Sequence, residues 1–295
     1  MTVVVGYSPA KGDPSPLHLA ATLARSARDD LLVVVVVPAA WPTPVARGAD
    51  RDYEAWTREE GARSASAAGE VLAGLCPDVS SSVLATPGKS EAATLIEQAE
   101  RVDASLIVVG SRAEAPDDPG GTIVVSSTGD RLLHSSPVPV AIAPRGFRAA
   151  PDARVTRATC AFRGDEASTS VLERTAAICR EVGAALRVVT FGVRGRTMYP
   201  PEVVGETEVL SAYVEQASAR QRDAVDALVG FEPGEVETAV ATGPTWPSAL
   251  AGVTWERSDV LVVGSSAASM VSRLFLGSTA TRIIRASPVP AVVVP

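Results

Sequence analysis

The 295 residues carry 27 basic and 34 acidic side chains, a net charge of −7, with 46% hydrophobic and 21% charged residues. This composition supports a packed core and excludes a disordered chain, and the acidic balance disfavours nucleic acid and anionic membranes as partners. Three cysteines without CxxC spacing, beside only two histidines, supply too few ligands for a zinc site and read as small buried residues in a reducing compartment.

In chain order, residues 3–7 form a short aliphatic run with no basic segment before it, too short for a signal peptide or a membrane span, so a cytoplasmic protein is expected. A helical stretch with Leu19, Leu23, Ala20, Ala24 and Ala27 follows, and then a second apolar run at 31–37. Residues 38–77 read as a loop and a long helix whose Tyr53, Trp56, Val71, Leu72 and Leu75 would line the core. Further strand-like runs fall at 79–84, 106–109 and 138–143. Runs apolar on both faces, alternating with helices, predict a parallel sheet covered on both sides with right-handed crossovers.

The pattern then repeats. Ser136-Pro137-Val138-Pro139-Val140-Ala141-Ile142-Ala143-Pro144 answers Ser287-Pro288-Val289-Pro290-Ala291-Val292-Val293-Val294-Pro295. Ser127-Thr128 with Arg131 answers Ser278-Thr279 with Arg282, and the run 103–111 parallels 258–265. Matching blocks in one order mark a tandem duplication, with residues 1–145 and 154–295 as domains and the Arg-, Ala-, Gly- and Pro-containing segment 145–154 as a linker. In the second copy Val171, Thr175, Ile178 and Val182 form a predicted helical stripe. Residues 194–233 read as a loop and long helix with Leu210, Tyr213, Val214, Val225 and Leu228 inward. The expected fold is two tandem doubly wound domains, each with five parallel strands.

In such a sheet ligands bind beyond the carboxyl ends of the strands, where the strand order reverses. After the fourth strand of copy two come Gly264-Ser265-Ser266-Ala267, nine more residues, and Gly277-Ser278-Thr279 opening the last helix. Glycines let backbone N–H groups approach an anion, and a helix start offers free donors and partial positive charge. Arg163, at the end of the copy's first strand, reads either as a partner for a phosphate or as an exposed loop residue. Asp103 and Asp259 precede the fourth strands and read as helix-to-strand turn residues.

These blocks resemble the universal stress protein family over nearly the whole chain. Its ATP-binding members carry Gly-x2-Gly-x9-Gly-(Ser/Thr) at this place, followed by a short helix and a strand opening in Ser-Pro-Val-Pro. Copy two matches with Gly264, Gly277 and Ser278, and has Ala267 where the second glycine is expected. The resemblance implies an adenine nucleotide alpha hydrolase-like fold. It also implies ATP, with magnesium if present, held by Gly264, Ala267, Gly277, Ser278, Thr279 and Arg163. Copy one departs further: Ala113 and Ser126-Ser127 replace motif residues, and Glu114, Asp117 and Asp118 would repel a triphosphate. The family's aspartate after the first strand is replaced by Ser8 in copy one and Arg163 in copy two.

No Ser-His-Asp set, metal cluster or Gly-x4-Gly-Lys-Ser/Thr loop is present in the sequence, so no catalytic activity is expected. The leading reading is a stress-response protein that binds ATP in its second domain. The alternative is an interaction module of the same family that binds no nucleotide, its protein partners unknown. Family dimers pair their last strands, so the two copies are expected to pair within one chain as a pseudo-two-fold unit, with homodimerisation left open.

Overall fold

The computed structural model describes residues 1–8, 12–39, 47–112, 122–193, 206–232, 234–265 and 277–295, and the chain divides into unit 1, Met1–Arg154, and unit 2, Val155–Pro295. Unit 1 runs β1 (Thr2–Gly6), α1 (Ser15–Ala27), β2 (Asp30–Pro38), α2 (Arg47–Leu75), β3 (Ser81–Gly88), α3 (Glu91–Arg101), β4 (Ala104–Gly110), α4 (Ser127–Ser135) and β5 (Val140–Ala143). Its five strands are parallel in the order β3-β2-β1-β4-β5. The inner strands bury both faces, with Val3, Val4, Val5, Val33, Ile107 and Val108 sealed from water. That is what a parallel sheet flanked by helices demands of its β-branched residues.

Unit 2 repeats this plan as β6 (Arg157–Ala161), α5 (Glu166–Val182), β7 (Ala185–Val193), α6 (Glu206–Asp226), β8 (Glu237–Gly243), α7 (Trp246–Leu250), β9 (Asp259–Gly264), α8 (Ser278–Ala286) and β10 (Ala291–Val294). The parallel order is β8-β7-β6-β9-β10. α5 begins at a reciprocal cap: Asp165 accepts from the Ser168 amide at 2.9 Å while the Ser168 hydroxyl accepts from the Asp165 amide at 3.1 Å. It stops at Gly183, whose φ of 72° lies in the left-handed region that glycine enters freely.

Three expectations about helix faces need correction. On α5 the inward stripe holds Val171, Thr175 and Cys179, whereas Ile178 is 54% exposed. A step of four from Thr175 reaches Cys179 and a step of three reaches Ile178, and the neighbouring buried row Ser168, Leu172 and Ala176 selects the former. On α2, Leu72 and Leu75 are buried as expected, but Trp56 is 47% exposed and rests against Tyr53, their ring centroids 5.8 Å apart. A helix of 29 residues is about 43 Å long and overhangs the nine-residue strand β2, which spans about 30 Å, so its first turns have less sheet to cover. On α6, Tyr213 is likewise 41% exposed, and Ala217 and Gln221 face inward instead. Gln221 is satisfied there by donating to Thr190 Oγ1 and the Ala239 carbonyl, both at 2.8 Å.

The segment read as a linker is tied down along α1 of unit 1. Arg148 donates to Ser15 Oγ at 3.1 Å, Ala149 meets His18 Nδ1 at 3.3 Å, and buried Arg25 donates to the Ala153 carbonyl at 3.2 Å. The Arg154 guanidinium closes the row on the Arg25 carbonyl. Residues 15, 18 and 25 share one face of the helix, so the segment follows that face.

Arg25 also holds Asp78 through two 2.8 Å hydrogen bonds, which keep the Asp78 carboxyl at about 2. A carboxylate held below its ordinary value stabilises the fold in full above that value, near 4, and loses the contribution as pH falls toward about 2. Unit 1 is therefore expected to lose stability between about pH 4 and about pH 2. An Asp78→Asn variant, followed by acid titration of far-ultraviolet circular dichroism, should show a shallower slope in that window. An identical slope would remove Asp78 as its cause.

All three cysteines are buried and free. Burial raises the Cys160 thiol to about 12 and the Cys179 thiol to about 11, so neither is a thiolate near neutral pH.

Candidate functional site

In each unit the strand order reverses between the first and fourth strands, so a crevice opens where Gly6 and Gly110 end β1 and β4, and where Ala161 and Gly264 end β6 and β9. The two crevices differ in chemistry.

In unit 1 the crevice is a cavity of about 380 Å³. Tyr7, Ser8 and Asp13 line it after β1, Arg112 after β4, and Arg145 after β5. Burial and the charge of Asp13 raise the Tyr7 hydroxyl pKa above its ordinary value. The start of α4 is already capped: Ser126 accepts from the Gly129 amide at 3.0 Å, and Asp130 sits in the first turn. Thr128 donates to Glu91 at 2.5 Å. Carboxylates thus stand where a triphosphate would need donors, and they oppose it by like-charge repulsion.

In unit 2 the start of α8 is built differently. Its N-cap is Gly277, which has no side chain to offer, and the first turn holds no acidic residue. Ser278 and Thr279 are exposed beside it. The first amides of α8 carry no side-chain cap among the described residues, leaving donors and the positive end of the helix toward an anion. Gly264 ends β9, and a Cβ there would lie 2.7 Å from Val171 Cγ2, so packing of α5 on β9 requires its missing side chain. Ala267 lies outside the described residues. Arg163 follows β6, the neighbour of β9, but its guanidinium turns to Asp165, 2.6 Å from Nε to Oδ2. It borders a cleft of about 30 Å³ with Gly164, Tyr213 and Arg220. Topology therefore brings Gly264, Gly277, Ser278 and Thr279 to one end of unit 2, while Arg163 faces its own loop.

Sequence reasoning missed two features. One is the unit 1 cavity, whose Asp13, Arg112 and Arg145 come from separate loops and share no motif. The other is an ionic cluster at the amino ends of the unit 2 strands, where Asp259 is no turn residue. Asp259 is buried in β9 and accepts from Arg157 at 2.6 Å, with Arg187 3.7 Å away. Arg187, 1% exposed, donates to Thr159 Oγ1 at 3.0 Å and to the Thr254 carbonyl at 2.7 Å, and its guanidinium lies 4.8 Å from the Trp255 ring centre. The signal was an arginine inside the apolar run Leu186-Arg187-Val188-Val189. Among the described residues no group of His, Cys, Asp and Glu could hold a metal ion, and no helix is long and apolar enough to cross a membrane.

Two units in tandem, each a parallel sheet whose strand order reverses between its first and fourth strands, define a class of doubly wound α/β proteins. The sequence profile of the universal stress protein family matches residues 1–144 and 155–295. Universal stress proteins of Mycobacterium tuberculosis and Mycobacterium bovis are each 40% identical to this chain over 299 residues, covering all of both chains. The chain belongs to the universal stress protein family as a tandem member. Among solved structures, a universal stress protein from Archaeoglobus fulgidus aligns with a TM-score of 0.58 at 18% identity, over 99% of this chain and 97% of that one. A protein of unknown function from Pseudomonas aeruginosa aligns with a TM-score of 0.57 at 19% identity, over 99% and 92%. At such identities they share the fold.

Proposed function

We propose that this protein serves in the stress response as a non-catalytic binder of adenine nucleotide, ATP with or without magnesium, at the carboxyl end of the unit 2 sheet. The observation that carries this reading is the contrast between the two last helices. α4 is capped by Ser126 and guarded by Asp130 and Glu91, whereas α8 opens on the bare Gly277 with Ser278 and Thr279 beside it. Occupancy of the site would then serve as the signal.

The test is mass spectrometry of nucleotide released from freshly purified, denatured protein, with calorimetric titration of ATP and magnesium. About one equivalent of ATP or ADP per chain is expected. Gly277→Asp, which puts a negative side chain at the helix start, is expected to weaken ATP at least about 100-fold with the fold intact. Unchanged affinity in that variant would dismiss the α8 site.

A second reading, an interaction module without nucleotide, draws on the pairing of Arg163 with Asp165 and on the packing role of Gly264. No released nucleotide and no heat on adding ATP and magnesium would favour it.

A further inference from the structure

The geometry points to an interaction surface in unit 1: the groove between α3 and α4 takes a second copy of this chain. The copy is turned by a two-fold axis that lies along the groove, so that each α3 rests on the α4 of the other copy. This surface does not depend on nucleotide binding in unit 2.

The shape of the surface comes first. α3 buries Ala92, Leu95 and Ala99, and turns a second row away from the core: Ala93, Ile96, Glu97 and Glu100, at the spacing of one helix face. With Arg131 and His134 of α4 this row lines a groove of about 520 Å³, whose floor is apolar at Ala93 and Ile96. The helix starts are tied together, since Thr128 donates to Glu91 at 2.5 Å and Arg131 donates to Ser90 Oγ at 3.4 Å. The two walls are therefore held in place before any partner arrives.

Charge decides the partner. Glu97 and Glu100 make no ion pair among the described residues. Across the groove Arg131 meets only the neutral Ser90, while His134 is engaged by Asp130, 4.0 Å away on its own helix and outside the groove lining. One wall thus presents two unpaired carboxylates and the other an unpaired guanidinium. Both helices return from the carboxyl to the amino end of one parallel sheet, so they run in the same direction. A two-fold axis along the groove keeps that direction and exchanges the walls, which sets Arg131 of each copy against Glu97 and Glu100 of the other. An axis across the groove would set carboxylates on carboxylates.

The duplication shows that the fold does not require this row. Counted from the N-caps Ser90 and Thr245, Glu97 and Glu100 answer Gly252 and Trp255, and α7 ends at Leu250 before reaching either. The acidic row is built in unit 1 alone. An 11-residue helix is about 16 Å long, so two short helices bury less than the roughly 800 Å² per partner of a standard interface. The dimer is accordingly a weak one.

The experiment is sedimentation equilibrium of the intact chain from about 5 μM to about 500 μM, where a monomer–dimer equilibrium with a Kd between about 10 μM and about 300 μM is expected. Arg131→Glu and the double variant Glu97→Arg with Glu100→Arg place like charges on facing walls, and each should weaken self-association about tenfold or more without lowering the melting temperature. Mixing these two proteins restores opposite charges at both contacts, so the mixture should associate at least as tightly as the unaltered chain. A chain that stays monomeric at about 500 μM overturns the proposal and leaves the groove to another occupant. Association that neither variant weakens overturns it in favour of another surface, and a mixture that fails to recover overturns the two-fold pairing of α3 with α4.

Discussion

Asp259→Ala is expected to destabilise unit 2 by about 3–5 kcal/mol, because it leaves two guanidiniums beside a buried site with no carboxylate. Asp259 Oδ2 accepts from Arg157 at 2.6 Å and from the Glu256 amide at 3.0 Å, and buried Arg187 lies 3.7 Å away. Burial depresses the Arg187 pKa, with the neighbouring charge of Arg157 adding to the effect. Glu237 and Glu256, 3.8 to 3.9 Å from the two arginines, are exposed and screened, so they cannot replace the lost carboxylate. The repeat supplies its own control. The strand registers place Arg157, Thr159, Arg187 and Asp259 opposite one another as they place Thr2, Val4, Leu32 and Ala104 in unit 1. The same plan is thus built once with ions and once without. Combining Arg157→Thr, Thr159→Val and Arg187→Leu with Asp259→Ala should restore most of the stability that Asp259→Ala loses alone, since a well-packed apolar replacement spares the desolvation of three charges. Urea unfolding, with amide exchange read separately in β6 and β9, measures both variants. A loss below about 1 kcal/mol in Asp259→Ala would mean that water already reaches the cluster.

The same cluster shows which parts of the molecule were legible in the sequence. Strands such as Val3-Val4-Val5 announce themselves because a parallel strand buried on both faces must be apolar throughout. The tandem plan was legible for the same reason, as the Ser-Pro-Val-Pro blocks precede the last strand of each copy. Long-range partners are not written in local periodicity. Nothing around Asp259 reveals that Arg157 and Arg187 converge on it, because β6, β7 and β9 come together only through three crossovers. The segment 145–154 reads as loose from its composition, yet Arg148, Ala149 and Ala153 meet Ser15, His18 and Arg25 along one face of α1. The aromatic stripes misled for a related reason: Trp56 and Tyr213 have the spacing of core residues, but whether a turn overhangs the sheet depends on strand lengths elsewhere. For the site, the start of α8 was legible through Gly277, while the charges of the unit 1 crevice come from four separate loops and helix starts and share no motif.

Gly264 is the position where packing and binding make opposite claims on one residue, and a pair of variants separates them. Gly264→Ala is expected to cost about 1–3 kcal/mol, since the added Cβ would lie 2.7 Å from Val171 Cγ2 and α5 must shift. Val171→Ala alone removes a buried branch and should cost a similar amount through the void it leaves. Combined, the added methyl occupies space that the valine vacates, so the double variant should be more stable than the sum of the two losses predicts, by about 1–2 kcal/mol. Simple additivity would show that the helix accommodates the methyl by another route. Nucleotide content of the stable double variant then decides the chemistry. If the phosphates rest on the amides at the start of α8, ATP binding returns along with stability, because nothing at Gly277 has changed. If binding stays lost in a protein that folds well, the backbone at Gly264 must itself approach the phosphate, and the glycine is there for the ligand as well as for Val171.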